Sequence, residues 1–300
     1  MQVVQGRIDL HTHSSCSDGA LSVVALVERA RERGIRIMAL TDHDCVLGVS
    51  EAFALAEKKG IHLISGSELS TTWNNVQIHV VGLFLDIENA ELKEFFSNQR
   101  LLRLERAHMI AAKLERQGFA RAYERTAAMA GEGANITRGS FARFIFSVGQ
   151  ATSIDDAFNS YLKKGKCAYV KTNWPDIAEA VRIIKGAGGI AVLAHPKRYE
   201  LTNMKLRALI EYFKACGGEA MEVAGCSQSM GERNYLADLS CKYELYASLG
   251  SDFHTISPWR DLGMGLALPA SVTPVWLCEQ GKKYDLARIL EVADGDVGSK

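Results

Sequence analysis

The sequence predicts an α/β barrel with fewer than eight strands, interrupted once by a helical insertion. Three observations carry this reading. Short runs rich in β-branched and apolar residues alternate with helical patterns in the first third and the last half of the chain. The alternation stops from about Ala90 to Ala168, where helical patterning alone continues. Histidines and acids recur at the ends of the strand-like runs, the positions that share one face of a β/α barrel.

Taken in order, RIDLHTH is a strand ending at His13, and LSVVALVERARERG reads as a helix with apolar residues at helical spacing. IRIMALTDHD is the second strand, and VLGVSEAFALAEKKG the second helix, closing at Gly60. IHLISGSE is the third strand; a turn at TWNNV leads into VQIHVVGLFLD, the fourth. The helical block follows, from LKEFFSNQRLLRLERAHMIAAKLERQG onward, with loops at GEGAN and GQATS. WPDIAEAVRIIKGAGG is a helix with Pro175 near its first turn, where a missing N–H costs nothing. IAVLAHP, AMEVAG and LYASLGSDFH are strands five to seven, separated by the helices MKLRALIEYFKACGG and MGERNYLADLSCKY. The domain organisation expected is a barrel from 1–97 and 171–300, with 98–170 inserted between strands four and five as a helical lid.

Composition narrows the function classes. The 300 residues are 47% hydrophobic and 23% charged, ordinary for a globular chain with a sizeable core. No apolar run reaches the roughly 18 residues that span a bilayer, and MQVVQGRIDLHTH lacks the basic and apolar regions of a signal peptide. The seven Cys are scattered without a CxxC pair, which argues for reduced thiols in the cytoplasm and against a disulfide framework or thiolate zinc site. The zero net charge hides a basic block: residues 98–170 carry 12 Lys+Arg against 6 Asp+Glu. A basic block beside an acidic body fits an anionic ligand between them. It is too modest to require long nucleic acid, and with a pI near 7.1 and no basic tail a duplex DNA partner is not expected.

The chain has eight His, and six occupy strand positions of one class: His11 and His13, His43 in TDHD, His79 on strand four, His195 in AHP and His254 in SDFH. Asp18, Glu68 and Asp252 share these positions. In a strand His11 and His13 point to the same face. Nine such groups from six strands would converge on one cup, where clustered carboxylates repel unless divalent ions neutralise them. Nine ligands are too many for one ion and fit two or three. Mixed nitrogen and oxygen donors without thiolate suit Mn²⁺, Zn²⁺ or Fe²⁺. His62 and His108 fall outside the pattern. Asp9, Asp42 and Asp44 are either supporting partners of the ligands or acids of turns and core.

Taken together, DLHTHSSCSDG, TDHD, GSE, IHVVG, LAHP and GSDFH resemble the signature of the PHP (polymerase and histidinol phosphatase) superfamily, over residues 7–97 and 171 to about 266. TRGSFAR and YLKKGKCAYV further resemble the insertion of the branch that includes 3′,5′-nucleoside bisphosphate phosphatase and RNase AM. The resemblance implies a distorted (β/α)7, TIM-like barrel with a trinuclear metal site, usually manganese. His11, His13, Glu68 and Asp252 would hold one ion; Glu68, His79 and His195 a second, with Glu68 bridging; Asp18, His43 and His254 a third. A hydroxide held between the first two ions would attack phosphorus in line, its parent water brought to a pKa of roughly 7. Arg138, Arg143 and Lys166 of the insertion would cap the cup and grip phosphate.

The activity implied is removal of the 3′-phosphate from nucleoside 3′,5′-bisphosphates such as pAp, with 5′→3′ exonuclease action on short 5′-phosphorylated RNA as a related activity of the same cup. Three other readings compete. Histidinol phosphate phosphatase lies in the same superfamily, and the insertion weighs against it. An amidohydrolase also opens with His-x-His, yet no Lys sits at a strand end in the first four strands to bridge its metals. A barrel serving only as a structural module would be expected to have a degenerate ligand set.

Overall fold

The computed structural model describes residues 7–295. The elements follow in order β1 (Ile8–Thr12), α1 (Val23–Glu32), β2 (Ile37–Leu40), α2 (Val49–Lys58), β3 (His62–Trp73) and β4 (Val76–Leu83). The helical stretch comprises α3 (Ala90–Glu115), α4 (Ala122–Ala130), α5 (Arg138–Ser147) and α6 (Ile154–Ala157), the last running into a π-helical turn (Phe158–Leu162). Then come α7 (Ile177–Gly186), β5 (Ile190–Leu193), a 3₁₀ turn (Pro196–Tyr199), α8 (Asn203–Ala215), β6 (Ala220–Gly225), α9 (Met230–Lys242) and β7 (Tyr246–Gly250). A second 3₁₀ turn (Val275–Leu277), α10 (Glu279–Lys283) and α11 (Leu286–Gly295) complete the described chain.

One seven-stranded sheet runs β1 to β7 in sequence order. Its edges meet: Thr12 bridges Phe253, His13 N donates to Phe253 O at 3.0 Å, and Asp252 N donates to His11 O at 2.9 Å. The result is the expected seven-stranded barrel, nearly closed. Its distortion has a local cause. Asn74 and Asn75 both adopt left-handed φ (46° and 63°), the two-residue hairpin turn that Asn tolerates. A two-residue link cannot make a parallel crossover, so β4 returns antiparallel to β3 and lies antiparallel to β5, while the other pairs are parallel. β3 continues past Glu68 to Trp73 to complete this hairpin. Hence Glu68 lies mid-strand rather than at a strand end, and His79 reaches the cup from the N-terminal half of β4.

The buried apolar residues form two clusters around the barrel and a third within 107–170, built on Ile110, Leu114, Phe141, Phe144 and Leu162. α3 belongs to both regions. Asn89 caps it by accepting from Leu92 N at 3.0 Å. Its first half packs Leu92, Phe95 and Phe96 on the barrel, and its last half places Ala107, Ile110, Ala111 and Leu114 in the third cluster. The helix therefore passes without a break through residue 98, where the sequence pattern starts the insertion.

Barrel closure depends on one close approach. A Cβ added at Gly250, at the end of β7, would stand 2.2 Å from His11 Cβ and 3.0 Å from His11 N. A side chain there must push β1 off β7. Gly250→Ala is expected to destabilise the fold by about 1–3 kcal/mol, the usual cost of overpacking a filled interior. Denaturant unfolding checks this: an unchanged midpoint would show that the seam between β1 and β7 yields freely.

Candidate metal centre

Alternation along β1 turns Asp9, His11 and His13 to one side, and all three are fully buried. His11 Nε2 and His13 Nε2 stand 3.1 Å apart, each 3.3 Å from Glu68 Oε2. Asp252 Oδ1 closes this first group at 3.4 Å from His11 and 3.0 Å from His13. On the other side of Glu68, His79 Nδ1 lies 2.7 Å and His195 Nε2 2.9 Å from Oε1, while His43 Nδ1 lies 3.0 Å from Oε2. Asp18 Oδ1 sits 3.2 Å from His254 Nε2 and 3.9 Å from His43 Nε2. All nine groups expected at the cup are therefore in it. Donor atoms close enough to share an ion form three sets: His11, His13, Glu68 and Asp252; His43, Glu68 and His79; and His13, Asp18, His43 and His254. His43 and His13 each face two sets, and His195 joins through Glu68. His62 and His108 lie elsewhere, with rings against Tyr284 and Tyr123.

Several of these atoms are buried without a hydrogen-bond partner: Glu68 Oε2, Asp18 Oδ1, and Nδ1 of His13, His43 and His195. His43 Nδ1 approaches Glu68 Oε2 without the angle of a hydrogen bond. Glu68 Oε2, Asp18 Oδ1 and His43 Nδ1 turn into the cup, and orphaned lone pairs gathered like this are costly in protein alone and are what divalent ions satisfy. Nδ1 of His13 and of His195 points away, because those rings face Glu68 through Nε2. The donor set fits such ions, and it includes no thiol.

The electrostatics agree. Burial opposes ionisation of Glu68, yet the imidazoles of His79, His43 and His11 hold its carboxyl well below the usual range. Burial likewise opposes a charged His13, but the carboxylates of Asp252 and Glu68 raise it to about 10. Burial wins at His43 and pushes it down to about 4. Backbone strain gathers here too: Asp252 (φ 50°), His195 (φ 27°) and Asp44 (φ 48°) are non-glycine residues in the left-handed region.

The supporting acids divide the work. Asp9 accepts from Ser251 N and Gly263 N, both at 2.9 Å, and staples β1 to the segment beyond β7. Asp42 accepts from Ser14 and Ser17 and shapes the loop that carries Asp18. Asp44 holds Arg103 and Ser70. The partner missing from the sequence reading is Glu222 on β6. Its Oε1 lies 2.6 Å from His11 Nδ1, and its Oε2 accepts from His195 N at 2.6 Å. It fixes which ring nitrogen of His11 faces the cup. The signal was a lone acid inside the apolar run AMEVAG. Arg198, also unforeseen, extends from the 3₁₀ turn after β5 to pair with Asp252.

The insertion is clamped to the cup by polar contacts. Asn135 Nδ2 donates to His43 O at 2.8 Å. Thr137 caps α5, accepting from Gly139 N at 2.9 Å while donating to Asp18 Oδ2 at 2.5 Å. Gly139 is needed for this approach, since a Cβ there would stand 2.6 Å from Asp18 Oδ2. Arg143 donates to the backbone carbonyl of Asp18, so it supports the loop. Lys166 is exposed in the turn beyond the π-helix.

Arg138 joins a different group. It lies half-buried beside the buried Arg103 and Arg106 of α3, in a patch next to the cup walled by Trp174, whose ring centre is 5.2 Å from the Arg103 guanidinium and 5.4 Å from that of Arg106. Arg138 stacks over Phe158 at 5.0 Å. Arg103 is neutralised by Asp44 and donates to Ser70 Oγ at 2.8 Å. Arg106 and Arg138 have no carboxylate partner among the described residues, and Arg106 Nε is buried unpaired. Burial, then the charges of Arg138 and Arg103, hold Arg106 well below the usual arginine range. Arginine does not give up its proton in proteins, so two uncompensated cations remain.

Comparison with known proteins places this geometry. The PHP domain profile matches residues 9–166. A 5′-3′ exoribonuclease of Haemophilus influenzae is 44% identical over 271 residues, covering 90% of this chain and 98% of that one. A 3′,5′-nucleoside bisphosphate phosphatase of Chromobacterium violaceum is 38% identical over 289 residues, covering 96% and 99%. A solved structure from the same organism, described as an amidohydrolase with bound sulfate and no metal, superposes with a TM-score of 0.86 at 38% identity, over 95% of this chain and 96% of that one.

Glu222 offers a test independent of any substrate. Glu222→Ala is expected to weaken divalent-ion binding by roughly 10- to 100-fold, as loss of a ligand-orienting carboxylate usually does. Titration of the metal-stripped protein with Mn²⁺, read by calorimetry, measures it. Wild-type affinity in the variant would mean that His11 needs no orienting partner.

Proposed function

This chain belongs to the PHP domain family, and from that premise we propose that it removes the 3′-phosphate of nucleoside 3′,5′-bisphosphates and cleaves short 5′-phosphorylated RNA from its 5′ end. It is a metal-dependent phosphoesterase. The observation that carries the substrate reading is the pairing of two sites for anions: a cup of nine metal-type donors and, beside it, a patch with two unneutralised guanidiniums. One substrate with two phosphates fills both. The named activities of relatives that match nearly end to end fit the same chemistry.

In this reading His11, His13, Asp18, His43, Glu68, His79, His195, Asp252 and His254 hold two to three divalent ions, with Mn²⁺ the ion proposed and Fe²⁺ or Zn²⁺ the alternatives. Such ions supply Lewis acidity, generating a nucleophile from water near neutral pH and neutralising charge on phosphoryl oxygens. The protein does the rest. Glu68 is central to the donor array, and Glu222 sets the ring orientation of His11. Arg198, beside Asp252, adds positive charge where the phosphoryl oxygens gather. Arg106 and Arg138 receive the 5′-phosphate by charge-assisted hydrogen bonds and so align the 3′ phosphorus with the cup. Residues 98–170 act as the lid over a barrel of 1–97 and 171–300, with Thr137 and Asn135 holding it down. Arg143 supports the Asp18 loop, and Lys166 is left to contacts outside the patch. The unpaired thiols fit a cytoplasmic setting.

Phosphate release from pAp, 5′-AMP, 3′-AMP and histidinol phosphate with added Mn²⁺ tests the function. pAp is expected to be the best substrate, with activity lost on chelation and restored by metal; clear preference for histidinol phosphate would overturn the reading. Arg106→Met tests the patch separately. Losing a charged hydrogen bond to phosphate is expected to raise KM for pAp by roughly 10- to 100-fold and to leave KM for 3′-AMP, which has no 5′-phosphate, unchanged. Equal changes on both substrates would remove Arg106 from 5′-phosphate binding.

A further inference from the structure

We propose that the rim between β6 and β7 carries the RNA on the 3′ side of the scissile phosphorus, with the Trp259 indole stacking on the first base beyond it. The inference rests on the function proposed above and gives the bound strand a direction across the cup.

Trp259 is 74% exposed, the most exposed of the described large apolar side chains. An indole held in water is a ready surface for a flat partner. It lies on the loop after β7, five residues beyond His254, so it stands within about 17 Å of that residue even if the chain between is fully extended. The loop is braced. Ser257 and Arg260 exchange backbone hydrogen bonds at 3.0 and 3.3 Å. Ser227 Oγ, just beyond β6, donates to Trp259 O at 2.9 Å. The indole is thus presented from an ordered rim.

Charge continues from the cup to this position. Arg198 pairs with Asp252, and Arg260, next to the indole, has no carboxylate partner among the described residues while its Nε is buried unpaired. Cys226 Sγ, just beyond β6, donates to Met264 O at 3.1 Å and to Asp261 O at 3.7 Å, so the loop that carries Trp259 and Arg260 is tied to the end of β6 both at the indole and beyond it. Ile256, at 51% exposure, is on the same loop. Cations beside an exposed aromatic are the elements that track a single-stranded backbone and stack its bases without reading sequence.

The topology supplies the polarity. The guanidinium patch that takes the 5′-phosphate lies over β3, through Arg103 on Ser70, while Trp259 lies by β6 and β7, across the barrel in the strand order. A strand anchored at its 5′ end in the patch therefore presents its first internucleotide phosphorus to the cup and leaves over Trp259. A bisphosphate has nothing beyond that phosphorus and never reaches the indole, which makes it the internal control.

The test compares wild type, Trp259→Ala and Trp259→Phe, each loaded with Mn²⁺, on pAp and on a short 5′-phosphorylated oligoribonucleotide. For Trp259→Ala, kcat/KM on RNA is expected to fall by roughly 5- to 100-fold, mainly through KM, as loss of one stacked base predicts. Turnover of pAp should be unchanged, and Trp259→Phe should recover most of the loss. In the metal-stripped protein the same RNA should quench indole fluorescence in wild type and less in Trp259→Ala. Unchanged RNA kinetics in Trp259→Ala, or equal losses on RNA and pAp, would overturn the proposal. Failure of wild type on pAp would overturn the function reading instead, and the quenching experiment would still decide the stacking.

Discussion

A single buried carboxylate, Glu68, organises the catalytic end of this barrel. Five imidazoles, those of His11, His13, His43, His79 and His195, come within 2.7 to 3.3 Å of its two oxygens. Those rings arrive from β1, the loop after β2, β4 and the turn after β5, so the distance limits on one side chain constrain most of the sheet. The backbone serves the same end: Glu68 N donates to Thr41 O at 3.1 Å, and Asp44 N donates to Glu68 O at 3.0 Å. A carboxylate this deep would take up a proton without compensation. Its surroundings keep it charged, and a charged bridge is what ions sharing a donor require.

Much of this was legible in the sequence. His-x-His on a strand, TDHD, GSE, AHP and SDFH each name a residue that the folded chain brings to the cup, because strand periodicity and the βα rhythm fix which way such side chains point. Glu222 and Arg198 were not legible for a shared reason. Each acts on a ligand far off in sequence, Glu222 on His11 and Arg198 on Asp252; the lone acid in AMEVAG marks Glu222 as unusual without naming its partner, and nothing local sets Arg198 apart from an ordinary arginine. The hairpin at Asn74–Asn75 was visible as a turn, but its consequence, an antiparallel β4 in a parallel barrel, follows only once the link is known to be two residues long.

The insertion shows how the same residue types divide between roles that composition cannot separate. Arg143 and Arg138 are half a helix apart, and both lie near Asp18. One spends its guanidinium on a backbone carbonyl; the other joins two arginines of α3 against aromatic walls. The difference lies in what each direction meets: a loop carbonyl already waiting, or a space where three guanidiniums gather and only Arg103 has a paired carboxylate, Asp44. Burying like charges together is unfavourable unless an anion arrives, so the patch stores an unmet electrostatic demand in the folded protein.

The unbroken α3 has a mechanical consequence. Its first turns are locked into the barrel core and its last turns into the insertion core, and a 26-residue helix bends sharply only at the expense of its backbone hydrogen bonds. The insertion is therefore a fixed wall rather than a door. A ligand that touches both the cup and the arginines of α3 must match a separation that is set when the chain folds.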